Sequence, residues 1–408
     1  MGGKWSIDTC TIINQYTILR GDELIIPSGT NLVISNIDNT GIWNEGTITN
    51  NSGGVITISN TAGTGIYSYD SGTITNSGTI TISNTAGEGI NNQNAIIDNS
   101  GIITISYASN IGIFSKGPIT NSGIIAISSI GSGGIFNKNS GINNYGPINN
   151  SGCIMTISNT WSRSIWNENT GTITNNSGGV ISISNGGIIN SGTITNNSGG
   201  VITIFHTDDT GIFNSGTITN NSGGIITISN TAGEGIKNQN AIIDNSGIIT
   251  ISNTGSEDYD KNTGIFNQGT IINSRGTITI SNAGSTGIYS KFSFIYRCNI
   301  VNSGTITTSN SDGVGIKNDI GCIITNSGTI TISNTAGYGI LNEDFESSPA
   351  LIRNSGIINK LCNATFFKDK PVGNPTINVP CDVAEKKLAE KKLDDVKKTK
   401  AAEEKTKK

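Results

Sequence analysis

The chain has 408 residues, of which 54 are Gly and only 13% are charged, with a formal net charge of −4. Gly is thus about twice its usual share and charge about half, so the composition offers no basic surface for nucleic acid. No run approaches the ~18 consecutive apolar residues of a membrane helix.

Residues 1–40 read as an N-terminal cap with entry strands, because TILRGDELIIPSGTNLVISN alternates apolar and polar residues between turn signals. Some cap is needed, since an open edge strand invites aggregation. The opening lacks an apolar segment behind a basic start. No secretory signal is therefore expected, and a cytosolic or virion-associated location is favoured over secretion. MGGKWS fits the N-myristoylation pattern, as a chance match also would. Arg20-Gly21-Asp22 matches the integrin-binding tripeptide, but it sits at a strand entrance and is weak evidence.

Residues 41–361 are a repeat of about 24 residues, typified by GIWNEGTITNNSGGVITISNTAGT from Gly41 to Thr64. A fixed period of this size means a solenoid or an array. Thirteen units align on a leading isoleucine: Ile42, Ile66, Ile90, Ile113, Ile135, Ile165 and onward to Ile340. Each unit holds three short β-branched runs, such as Gly41 to Asn44, Thr47 to Asn50 and Val55 to Ser59, with the two-residue period of strands. The second run is read as turning Ile48, Ile74, Ile96, Ile119, Ile242 and their equivalents inward. The third contributes pairs such as Ile56 with Ile58. Met155 and Thr308 depart from its columns, and Thr308 is expected to weaken its coil by placing a hydroxyl among isoleucines. Each coil then buries about four Ile side chains at roughly 1.5–3 kcal/mol each. Asn-Ser-Gly corners supply the left-handed backbone that sharp turns need, and stacked Asn side chains can hydrogen-bond along the stack. The expected fold is all-β: a parallel, right-handed β-helix of triangular section, roughly 60 Å long at about 4.8 Å per coil. Ile82 to Ser106 recurs as Ile228 to Ser252 with one difference, Asn91 against Lys237, which suggests an adjustable coil number.

Residues 362–381 read as a C-terminal cap or linker, and 382–408 as a Lys/Glu-rich helical or disordered tail. Cys298 and Cys322 lie one coil apart and within reach of each other. Free thiols are expected if the protein stays in a cytosol.

If the leading isoleucine points in, the next residue points out. That residue is Trp43, Tyr67, Phe114, Phe136, Trp166, Phe213, Phe266 or Tyr289 in eight coils, an aromatic stripe suited to stacking on sugars or anchoring a protein. The plainer reading is that these rings shield the corner. Corners lengthened near Lys138–Tyr145, Lys291–Cys298 and Glu343–Ala350 share one edge. The piece Lys291, Phe292, Ser293, Phe294, Ile295, Tyr296, Arg297 is the most adhesive of them. Asp258, Asp260 and Asn262 begin like a calcium loop, but Thr263 and Gly269 stand where Gly and Glu belong, so no metal and no cofactor are expected. His206, the single histidine, sits beside Asp208 and Asp209 without a nucleophile motif, and no paired carboxylates recur. Thr-x-Thr pairs such as Thr47/Thr49 evoke ice-binding solenoids, but the array is interrupted near Ala95, Pro118 and Ala241.

The GTITN and SGTITI units resemble the β-helical repeats of filamentous-haemagglutinin and autotransporter adhesins. The Ile/Asn-rich composition resembles repeat proteins of giant DNA viruses. The resemblance implies a non-enzymatic structural or attachment role, with a glycan or protein surface as partner and self-association as a further option. A carbohydrate-active, pectin-lyase-like β-helix and an ice binder are the alternatives, because the fold alone does not decide function.

Overall fold

The computed structural model describes residues 4–6, 10–131, 140–144, 147–160, 163–255, 263–293, 298–343, 350–361 and 365–367. They form an all-β parallel solenoid of about 13 coils, with no helix among them. The tail 382–408 lies outside the described residues.

Each typical coil has three strands, as in Ile42–Asn44, Thr47–Asn50 and Val55–Thr61. Each pairs in parallel with its equivalent one coil on. The third strands stack into a sheet of fifteen. In two coils the first and second strands merge, as Ile236–Asn245 and Thr263–Asn273. The stack begins before the repeat does: Tyr16–Ile18, Glu23–Ile26 and Asn31–Ile37 already pair in register with the coil that follows.

Register follows from what is buried. Ile42, Ile48, Ile56 and Ile58 are fully buried, as are Ile66, Ile74, Ile80 and Ile82 in the next coil. A one-residue slip would turn every one of them into water. At two places the structure corrects the inward set. Ile97 and Ile243 are buried, whereas Ile96 and Ile242 are 47% and 44% exposed. Where two isoleucines adjoin, alternation cannot choose between them. The Asn two residues on does, since Ile97 precedes Asn99 as Ile74 precedes Asn76. In the first-strand column, the partner of Ile113 and Ile165 is Ile142 and not Ile135, which lies outside the described residues. The extra residues of this coil therefore precede its first strand.

Asparagine fills a second buried column. Asn50 donates from Nδ2 to Oδ1 of Asn76 at 2.7 Å, Asn76 to Asn99 at 2.7 Å, and the chain of bonds runs on without a break to Asn354. Most of these amides also donate to backbone carbonyls, as Asn50 does at Thr79, whereas Asn121 meets Cys153 Sγ. Burying so many amides is tolerable only because each is paired. The ladder's start shows the rule. Ile26 precedes Asn50 in the stack, so Asn50 Oδ1 is left without a donor. A shorter ladder on the first strands runs from Asn167 through Asn190, Asn214 and Asn238 to Asn267. A third, exposed one links corner residues with φ near +50°, such as Asn36, Asn60 and Asn84.

Met155 packs in its Ile column, 1% exposed. Thr308 is fully buried between Ile280 and Ile332, and its hydroxyl has no partner. Thr308→Ile is expected to stabilise the protein by about 1–2 kcal/mol, by removing an unpaired hydroxyl and adding apolar contact. Gly287 faces Thr308 as Gly264 faces Ile280, so room for the larger side chain exists. A denaturation midpoint that stays put or falls would show that this room is not usable. Cys298 and Cys322 are joined as a disulfide with Cα atoms 4.8 Å apart, in place of the free thiols expected for a cytosol. It ties two successive coils at the entrances to their second strands.

Candidate binding site

The residue after each leading isoleucine forms one column along the rod. In chain order it reads Trp43, Tyr67, Asn91, Phe114, Asn143, Trp166, Ile189, Phe213, Lys237, Phe266, Tyr289, Lys317 and Leu341, each paired in register with the next. Seven of the eight predicted aromatic positions fall in it. Phe136 does not: it lies outside the described residues, and Asn143 holds its place. All seven residues are half-buried.

Strand stacking fixes how these rings meet. Trp43 and Tyr67 stack with centroids 4.5 Å apart and planes 25° apart. Phe266 meets Tyr289 edge-on at 5.5 Å. Burial raises the Tyr67 hydroxyl above the usual tyrosine value, and Tyr69 and Glu88 add to the rise. Burial likewise raises Tyr289, with Lys317 opposing it.

The aromatic reading missed the cations. Lys237 stands between Phe213 and Phe266, its ammonium 5.7 Å from each ring. Lys317 lies 4.6 Å over Tyr289, and Lys291 reaches both Phe266 and Tyr289. Arg163 covers Trp166 at 4.9 Å and Lys116 covers Phe114 at 5.6 Å. Such pairs hold ring and cation in place at roughly 0.5–1 kcal/mol each where exposed. Burial works against the Lys317 ammonium, but Glu343 at 3.1 Å and the Tyr289 hydroxyl raise it above the usual lysine value. The signal was available in the sequence, because Lys237 and Lys317 follow leading isoleucines as the aromatics do. The near-duplicate segments make the point: their single difference, Asn91 against Lys237, falls in this column. Asn91 accepts from Gln93 and brings no cation to the column.

The column is broken by a notch. From Ser59 to Ile66 the corner has six intervening residues, whereas from Ser184 to Ile188 it has three. The shortened corner, Asn185-Gly186-Gly187, is drawn in toward the previous coil. A Cβ on Gly186 would stand 2.5 Å from Thr160 Oγ1 and 2.6 Å from Ser164 Oγ, so only glycine fits. Ile189 replaces a ring in the same coil. The result is a cleft of about 780 Å³ walled by Trp166 on one side and Phe213 on the other. Arg163, Glu168, Asp208, Asp209, Glu234 and Lys237 line it. Glu234 is buried and held by Thr210 Oγ1 at 2.8 Å and by Lys237 at 3.9 Å. The cleft thus offers two aromatic walls with acceptors and donors between them, which suits a neutral polar ligand with apolar faces.

The other candidates are placed as follows. Lys291 is exposed, and the Phe292 ring covers Gly321. Phe294, Tyr296 and Arg297 lie outside the described residues, as do Asp258, Asp260 and Asn262. Among the described residues, no group of three or more His, Cys, Asp and Glu side chains is arranged to hold a metal. His206 occupies the exposed corner ladder, its Nε2 3.4 Å from Asn230 Nδ2, while Asp208 and Asp209 belong to the notch. Arg20 pairs with Asp70. The Thr-x-Thr face of the second strands is interrupted by Ile96 and Asp98, and again by Ile242 and Asp244.

No protein-family model and no curated protein matches the chain. Solved structures do. One to which it is similar is the TibC-catalysed, hyper-glycosylated TibA fragment, at 17% identity and a TM-score of 0.30, over 90% of this chain and 94% of that one.

Proposed function

We propose that the protein is a non-enzymatic attachment rod that holds a glycan along its aromatic and cationic column, seated in the notch between Trp166 and Phe213. The observation that carries this reading is the notch itself. Its two half-exposed rings flank carboxylates and cations in a cleft of about 780 Å³. Sugar rings have apolar C–H faces that stack on aromatic walls and hydroxyls that bond to charged side chains. The rod supplies a rigid backing, since each wall stands on a strand paired on both sides.

Glycan-array binding by the purified chain tests this. Trp166→Ala with Phe213→Ala is expected to weaken binding at least roughly 30-fold, as loss of two central anchors would. Trp43→Ala, remote from the notch, is expected to leave it nearly unchanged. Retained binding in the double variant would remove the notch from the proposal. Cleavage of a bound glycan would overturn the non-enzymatic reading.

A further inference from the structure

The third strands turn Ile56, Ile58 and their equivalents inward, so Val55, Thr57, Ser59 and their equivalents face out. Thirteen successive strands, from Asn31–Ile37 to Thr329–Ser333, carry no Asp, Glu, Lys or Arg. The chain holds 25 basic and 29 acidic residues, and none is spent here. The outermost row is apolar over seven consecutive coils: Ile102, Ile124, Ile154, Val180, Val201, Ile225 and Ile248. Four of these isoleucines are 39–47% exposed. A sheet face left to water normally carries polar and charged residues, and contiguous exposed apolar patches mark interfaces.

We infer that this face is where a second copy of the chain docks, sheet against sheet. Three observations choose that occupant. The face repeats coil by coil in one-to-one register at ~4.8 Å, so a copy of itself matches its spacing along the whole length. It has no charge, so no like-charge clash arises at any register of two copies. It measures roughly 60 Å by 15 Å, about 900 Å², against the ~800 Å² per partner of a stable interface. Two such sheets pack about 10 Å apart with strands within about 30° of alignment. One residue breaks the serine row. Phe205 stands among serines, with Ser184 before it and Ser229 after it in register. It is half-buried and meets His206 edge-on at 5.5 Å. A ring in a row of serines fixes position, and Phe205 sets the register between the two copies. The aromatic column lies on the first strands, so Trp166 and Phe213 belong to a different sheet from the proposed contact.

Sedimentation equilibrium of the full chain tests this over micromolar to hundred-micromolar concentrations. The unmodified protein is expected to be a dimer. Thr156→Lys, Thr203→Lys and Thr250→Lys together are expected to yield a monomer with an unchanged β-sheet circular dichroism spectrum. Phe205→Ser, which installs the repeat's own residue and cannot disturb the core, is expected to weaken dimerisation roughly tenfold. An unmodified chain that is monomeric throughout overturns the inference, as does a dimer that both variants leave intact. A monomer that adsorbs to ice or to neutral phospholipid vesicles through this face also overturns it, by assigning the face another occupant.

Discussion

Replacing Asn220 by Leu is expected to destabilise the rod by about 3–5 kcal/mol, although the two side chains are close in size. Asn220 is fully buried in the asparagine ladder. It accepts from Asn196 at 2.9 Å and donates to Asn245 at 2.8 Å, with further donation to Gly224 O and Ile248 O. Leu orphans Asn245 Oδ1 above and removes an acceptor from Asn196 below. Each buried polar group left unpaired costs about 1–3 kcal/mol. Asn220→Ser is the informative comparison. Serine already replaces asparagine in the neighbouring ladder at Ser68, Ser115 and Ser290, keeping a hydroxyl within reach. It is expected to cost less than half as much. Because a long repeat need not unfold in one step, hydrogen exchange in the coils on either side is the better readout. A loss of protection confined to one coil, or smaller than about 1 kcal/mol, would show that the ladder does not couple coils.

Gly216→Ala is expected to be as damaging, for a different reason. A Cβ at this position would fall on the carbonyl oxygen of Gly192. That same oxygen accepts the backbone hydrogen bond of Thr217 at 2.9 Å. One methyl group therefore forces two coils apart and breaks a bond between them, at about 3–5 kcal/mol. Gly29→Ala separates this from any general dislike of alanine. Gly29 has φ +78° with nothing within 4 Å, so only the backbone preference is lost, about 1–2 kcal/mol. Limited proteolysis, read between residues 190 and 220 for Gly216→Ala and between residues 20 and 60 for Gly29→Ala, measures both. Equal resistance in the two variants would refute the close-approach argument.

Most of the architecture was legible because stacking identical coils places like on like, so a column in the alignment becomes a column in space. The reading failed where the alignment had two solutions. Gly134-Ile135-Phe136-Asn137 and Gly141-Ile142-Asn143-Asn144 both resemble a coil's opening, and only pairing with Ile113 and Ile165 selects the second. Ile96 and Ile97 pose the same problem one residue apart, and the buried Asn99 resolves it. The aromatic column was legible for the same reason as the isoleucines. The cations within it were not singled out, since a search for rings passes over Lys237 and Lys317. The notch was beyond sequence reading. It arises from a missing stretch of three residues, and an absence takes a shape only when the walls on either side are in place.

The asparagine ladders also make the rod indifferent to its own length. Every amide in the buried ladder points its donor toward the following coil and its acceptor toward the preceding one. Any coil can therefore follow any other with the same closing bond. The near-identical stretches at 82–106 and 228–252 are places where recombination can join one copy to the other. Both products of such an exchange would close every rung, one rod longer and one shorter, in steps of about 4.8 Å per coil. The reach of the notch from either end is thus a heritable quantity that changes by whole coils and leaves each joint intact.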